Sequence, residues 1–141
     1  MPYWRLHYHL VWRTYARLPV LSEECLEVVR RSIYTRARRL GARVHAVNGT
    51  ADHVHVVASV PPVVAVAECA GQLKGASSHT ANEWLRTRSA FRWSGGYGAL
   101  TVGERALPIV IAYVQNQAEH HRQGTVHRLL EKCEDEEGDA W

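Results

Sequence analysis

The sequence predicts an α+β domain, a ferredoxin-like or RRM-like antiparallel sheet with two helices on one face and an extra C-terminal helix. Three observations lead there. Strand-like and helix-periodic segments follow one another as strand, helix, strand, strand, helix, strand, helix. The 141 residues suit one domain with a real core. A hydrophobic content of 46% beside 22% charged residues is ordinary for a globular protein, so neither disorder nor a fibrous repeat is indicated.

Residues 3–13 are rich in aromatic and branched side chains and read as the first strand. Ser22, followed by Glu23 and Glu24, caps a helix that runs to about Leu40 and stops at Gly41. Its apolar stripe is Leu26, Val29, Ile33, Ala37 and Leu40; Arg30, Arg31, Arg36, Arg38 and Arg39 lie on the other side. Arg43 to Val47 is the second strand, and Asn48-Gly49 is a hairpin turn signal. The third strand covers about 53–60 and ends at Pro61-Pro62, which cannot continue a ladder. A helix follows over 63–86, weakened by Gly71 and Gly75. Residues 91–102 read as a fourth strand with a glycine bend. Pro108 opens a last helix from Ile109 to about His121.

In this topology the first and third strands pair at the centre, which places Asp52-His53-Val54-His55 on a rigid strand. Residues i and i+2 of a strand share a face, so the imidazoles of His53 and His55 point the same way and suit a divalent metal. Two histidines are an incomplete site. On the last helix Tyr113 and Gln117 are four residues apart and share a face. A phenol is a possible nucleophile and a glutamine oxygen a possible third ligand to a hard metal. Spacing alone favours a core-edge tyrosine and a surface glutamine.

Charge adds a direction. Residues 131–141 carry six acids against Lys132, which leaves +8 on residues 1–130, and fifteen of the seventeen bases are arginine. A basic, arginine-rich body fits a nucleic-acid partner and an arginine bias of composition about equally. We therefore expect a domain over 1–130 and a short acidic tail over 131–141. Cys25, Cys69 and Cys133 are scattered, which argues against a disulfide framework or a zinc-thiolate site. No run approaches the ~20 apolar residues of a membrane span, and the N-terminus lacks a signal-peptide layout, so a cytoplasmic location without a membrane partner is expected.

The motif His53-Val54-His55 matches the histidine-hydrophobic-histidine signature of HUH single-strand nucleases. Around it, Tyr8 to Thr14, Asp52 to His55 with Val60-Pro61-Pro62, and Leu73-Lys74-Gly75 with Ser77-Ser78 resemble the single-tyrosine transposases of the smallest bacterial insertion sequences, REP-associated relatives included. So do Trp93 to Gly98, and Tyr113 to Gln117 with His120-His121; the blocks recur in the family's order over about 7–123. The resemblance implies that Tyr113 is catalytic. It would attack single-stranded DNA near hairpin ends, forming a 5′-phosphotyrosine and freeing a 3′-hydroxyl. His53, His55 and Gln117 would hold Mg²⁺ or Mn²⁺, and no small-molecule cofactor is implied. The family also implies a homodimer, typically with the tyrosine helix of one subunit completing the histidine pair of the other and residues 103–106 as the hinge, and the sequence leaves open whether Tyr113 acts in cis or in trans. Lys74 and Arg13 are expected DNA phosphate contacts.

The other histidines read more plainly. His7 and His9 are expected as satisfied sheet residues, and His120 and His121 are not expected as ligands. Trp93 and Tyr97 suit base stacking or core packing. Two functions compete with strand transfer: a non-catalytic single-stranded nucleic-acid-binding module, and a metal-dependent hydrolase that uses water.

Overall fold

The structure is a computed structural model and describes residues 2–86, 91–124 and 126–133. Four strands, β1 (His7–Arg13), β2 (Arg43–Thr50), β3 (His53–Ser59) and β4 (Gly98–Val102), form one antiparallel sheet in the order β2-β3-β1-β4. The expected ferredoxin-like topology is present, with β1 and β3 at the centre. Their register sets Arg13 opposite His53 and Val11 opposite His55.

Two helices, α1 (Glu23–Arg39) and α2 (Val66–Leu85), cover one face. Ser22 caps α1 by accepting the Cys25 N–H at 3.1 Å, and Gly41 ends it in the left-handed region at φ 76°. Cys25, Val29, Ile33 and Ala37 recur every four residues and are buried, as are Cys69, Leu73, Ser77 and Ala81 of α2. They close over Leu10, Trp12, Val54, Val56 and Ala58 of the sheet. Burial of each large aliphatic side chain here stabilises by about 1.5–3 kcal/mol.

The opposite face carries His7, His9, His55, Val57 and Ser59, and it too is buried. The cover is α3 (Leu107–Gln115), whose Leu107 and Val114 pack on Ala46, Val57 and Val102. Beyond it lie α4 (Gln117–Gln123) and α5 (Arg128–Glu131). With both faces covered, β3 has no solvent side, and the polar residues at 53, 55 and 59 must find partners within the protein.

Three boundaries differ from expectation. The hairpin turns at Ala51-Asp52, not Asn48-Gly49, because β2 continues to Thr50 opposite His53. Gly49 sits inside the ladder for a steric reason: a Cβ there would overlap the His53 carbonyl oxygen. The fourth strand spans only Gly98–Val102, while Trp93 turns inward against Trp12 and Phe91 and donates its indole N–H to Ser77 Oγ at 3.0 Å. Trp93 is therefore a core residue. The last helix is interrupted at Asn116 (φ −107°, ψ 27°), so Tyr113 lies in the last turn of α3 and Gln117 opens α4. α2, by contrast, runs unbroken through Gly71 and Gly75.

Candidate metal and nucleophile site

His53 and His55 stand side by side on β3, ring centroids 5.0 Å apart. Each ring is held by its Nδ1. Asp52 Oδ1 accepts the His53 Nδ1–H at 2.7 Å, which turns His53 Nε2 towards the other site residues. His55 Nδ1 lies 2.8 Å from His9 Nε2 in a fully buried pair. His9, expected as a satisfied sheet histidine rather than an extension of the site, is thus the support of a site residue, while His7 bonds Ser59 and Glu104 elsewhere. Burial, with the nearby His55, lowers the His9 pKa to about 3, so this ring is neutral.

Tyr113 comes to the same place from α3. Its ring is 6.2 Å from that of His55 and stacks on His120 at 4.5 Å. Its hydroxyl oxygen accepts the His127 backbone N–H at 2.9 Å. Burial raises the phenol pKa, against the lowering effect of that donor. Gln117 is fully buried, and its Oε1 has no hydrogen-bond partner. An uncapped carbonyl oxygen in a dry site is what a hard cation takes up.

Two further residues enter: His121, which was not expected as a ligand, and Glu131, which was assigned to the acidic tail. His121 Nε2 is 3.1 Å from His53 Nε2, and Glu131 Oε1 is 2.7 Å from His121 Nε2. Glu131 Oε1 is also 3.2 Å from both His53 Nε2 and His55 Nε2. His53, His55, His121 and Glu131 each offer one donor atom within 4.8 Å of all the others, a set suited to a metal ion. Burial opposes the Glu131 charge, but the histidine contacts outweigh it and hold its pKa well below the usual carboxylate range. Burial likewise opposes a charged His53, yet Glu131 and Asp52 raise its pKa, whereas burial prevails at His55 and lowers it. The expected boundary at 130/131 falls within α5, and residues 134–141 of the expected tail lie outside the described residues. The His120-His121 pair was a legible signal for His121. Nothing local distinguished Glu131 from the acids after it.

The expected phosphate contacts fare differently. Arg13 lines a cavity of about 260 Å³ with Arg17, Asp52, His53, His121 and Glu131, directly beside the histidines. Lys74 Nζ instead donates to the Ser94 and Gly96 carbonyls at 2.7 and 3.0 Å. Residues 103–106 precede α3, and Glu104 there is tied to Arg5 and to His7 Nε2. Among the described residues, no helix is long and apolar enough to cross a membrane.

Fold and site together define a small ferredoxin-like protein with a histidine-carboxylate cluster beside a tyrosine on the second sheet face. The chain belongs to the IS200-like transposase family, whose model matches residues 2–117. It is 29% identical over 131 residues to the transposase of insertion sequence IS200 from Salmonella typhimurium, covering 86% of this chain and 82% of that one. It is also 29% identical over 119 residues to the ISDra2 transposase TnpA of Deinococcus radiodurans, covering 81% and 85%. A crystal structure of a transposase candidate from Deinococcus radiodurans R1 superposes with a TM-score of 0.66 at 26% identity, over 83% of this chain and 95% of that one. A REP-associated tyrosine transposase bound to a REP hairpin shares the fold, with a TM-score of 0.60 at 12% identity over 89% and 76%.

Proposed function

We propose that this transposase cuts and rejoins single-stranded DNA near hairpins, with Tyr113 as nucleophile. The observation that carries this reading is the approach of Tyr113 to His55, itself beside His53, from segments about sixty residues apart, at one place in a single chain. In the reaction the Tyr113 oxygen bonds the scissile phosphorus and the bond to the 3′ oxygen breaks. The phenol proton is lost and the leaving oxygen gains one. The product is a 5′-phosphotyrosine, and attack by a 3′-hydroxyl reverses the step.

His53 Nε2, His55 Nε2 and Gln117 Oε1 are the groups that would hold Mg²⁺ or Mn²⁺. The unpartnered Gln117 oxygen and the Nδ1 supports behind both histidines favour that use. When bound, such an ion polarises the phosphate and neutralises developing charge. The His127 N–H steadies the phenol oxygen, and Arg13 sits where a flanking phosphate would pass. Lys74 is the second DNA contact in this reading; its Nζ is held at the Ser94 and Gly96 carbonyls. A homodimer is part of this reading; Ile109, 71% exposed on α3, is an apolar side chain that a second copy would cover.

The test is a denaturing gel of protein incubated with hairpin-bearing single-stranded DNA and Mn²⁺. A covalent adduct that disappears in Tyr113→Phe supports the reading. Cleavage that survives Tyr113→Phe would mean that water is the nucleophile, and bound but uncut DNA would mean a binding module.

A further inference from the structure

Residues 126–133 lie beyond the stretch that the family model matches, yet they touch the groups on which the site depends. Glu131 meets His53, His55 and His121, and the His127 N–H meets the Tyr113 oxygen. The docking is built in. α5 packs on β1 and β4, and Cys133 is 2% exposed. The Lys132 carbonyl lies so close on Gly98 that any Cβ at that position would overlap it.

A simple ion pair would explain one imidazole on the carboxylate. It does not explain three Nε2 atoms gathered around one carboxylate, those of His53 and His121 on Oε1 and that of His55 at 2.8 Å from Oε2, nor two of those nitrogens at 3.1 Å with one Nδ1–H already committed to Asp52. Neighbouring donor atoms here are 2.7–3.2 Å apart. With all four donor atoms within 4.8 Å of one another, this matches the roughly 3 Å edges and roughly 4.2 Å diagonals of an octahedral set around one divalent ion held at roughly 2.1 Å.

We propose that the segment 126–133 is a working part of the site: Glu131, with His121, joins His53 and His55 as a ligand of one divalent cation. The same docking sets the His127 N–H on the nucleophile, so cation binding and closure of this segment are coupled. With Gln117 the protein offers five donors, three of them imidazoles, which suits Mn²⁺ better than the oxygen-seeking Mg²⁺. This inference rests on the metal-dependent reading above.

The experiment titrates MnCl₂ into the full chain by calorimetry, alongside Glu131→Gln, Glu131→Asp, His121→Gln and His53→Ala. Trypsin cleavage after Arg122 and Arg128 is followed with and without Mn²⁺. We expect Mn²⁺ to slow cleavage of the wild type. Glu131→Gln should weaken binding about 10- to 100-fold and remove that protection, with Glu131→Asp in between. Glu131→Gln binding Mn²⁺ as tightly as wild type, or more tightly, overturns the proposal, since the carboxylate would then be a stopper that the ion displaces. If His53→Ala abolishes binding while Glu131→Gln leaves it intact, this inference falls and the metal-dependent reading stands. No Mn²⁺ binding by the wild type sinks both. Should Glu131→Gln fail to fold, judged by circular dichroism, His121→Gln and Glu131→Asp decide in the same way.

Discussion

His9 Nε2 lies 2.8 Å from His55 Nδ1, with both rings fully buried between the first and third strands. Only one of the two nitrogens carries the shared proton. If His55 is to present a bare Nε2 to a cation, its Nδ1–H must donate and His9 must accept. His9→Leu leaves His55 Nδ1 without a partner in a dry interior and should cost about 1–3 kcal/mol. His9→Gln keeps a hydrogen-bonding group and should lose less. Urea denaturation of the three proteins checks the order.

The same residue makes stability depend on pH. The folded pKa of His9 is depressed to about 3, against an ordinary value of 6.5. Below 6.5 the unfolded chain takes up a proton that the folded one refuses, so stability is lost as pH falls from 6.5 towards 3, by up to about 1.4 kcal/mol per unit. His9→Leu removes this contribution, and a plot of denaturation free energy against pH should flatten over that window.

Glu131 and His53 act with opposite signs. The depressed Glu131 contributes stability that is present above the usual carboxylate pKa and is lost on acidification. The raised His53 contributes stability that is present below its ordinary 6.5 and is lost as pH rises through its folded value. Without added metal, the difference between wild type and Glu131→Gln should therefore be largest near pH 5–6 and shrink on either side. A difference that keeps growing above pH 7 would contradict the pairing.

Gly49→Ala should destabilise by about 2–4 kcal/mol, because the added methyl meets the His53 carbonyl inside a paired ladder. The strain bears on the hairpin that carries His53, so Mn²⁺ affinity should fall with stability. Calorimetry and thermal melts measure both.

Lys74→Met should loosen residues 94–98 without unfolding the protein, since it removes two charge-assisted bonds to the Ser94 and Gly96 carbonyls. Faster amide hydrogen exchange confined to that segment is the expected result. Unchanged exchange there would mean that Lys74 does not hold that segment.

Much of the fold was legible because periodicity reports local burial. The Val29, Ile33 and Ala37 stripe of α1 and the Ser22 cap follow from patterns within a few residues, although Cys25, not Leu26, is the buried residue of the first turn. The hairpin was misplaced because Asn48-Gly49 is a strong turn signal, and the close approach that requires Gly49 is set by the partner strand. Trp93 could not be separated from a stacking residue without seeing Trp12 and Phe91 beside it.

By itself, the sequence determined that His53 and His55 share a face, since alternation is a property of any extended chain. Motif resemblance named Tyr113 and Gln117 as their companions, but only the tertiary structure decided how these and the remaining groups come together. His9 lies across one strand pairing, Tyr113 and Gln117 come from either side of a helix break, and Glu131 arrives from a segment that docks on Gly98. These groups are as much as 76 residues from His55 along the chain. Their meeting depends on packing across the second sheet face, which no local pattern encodes.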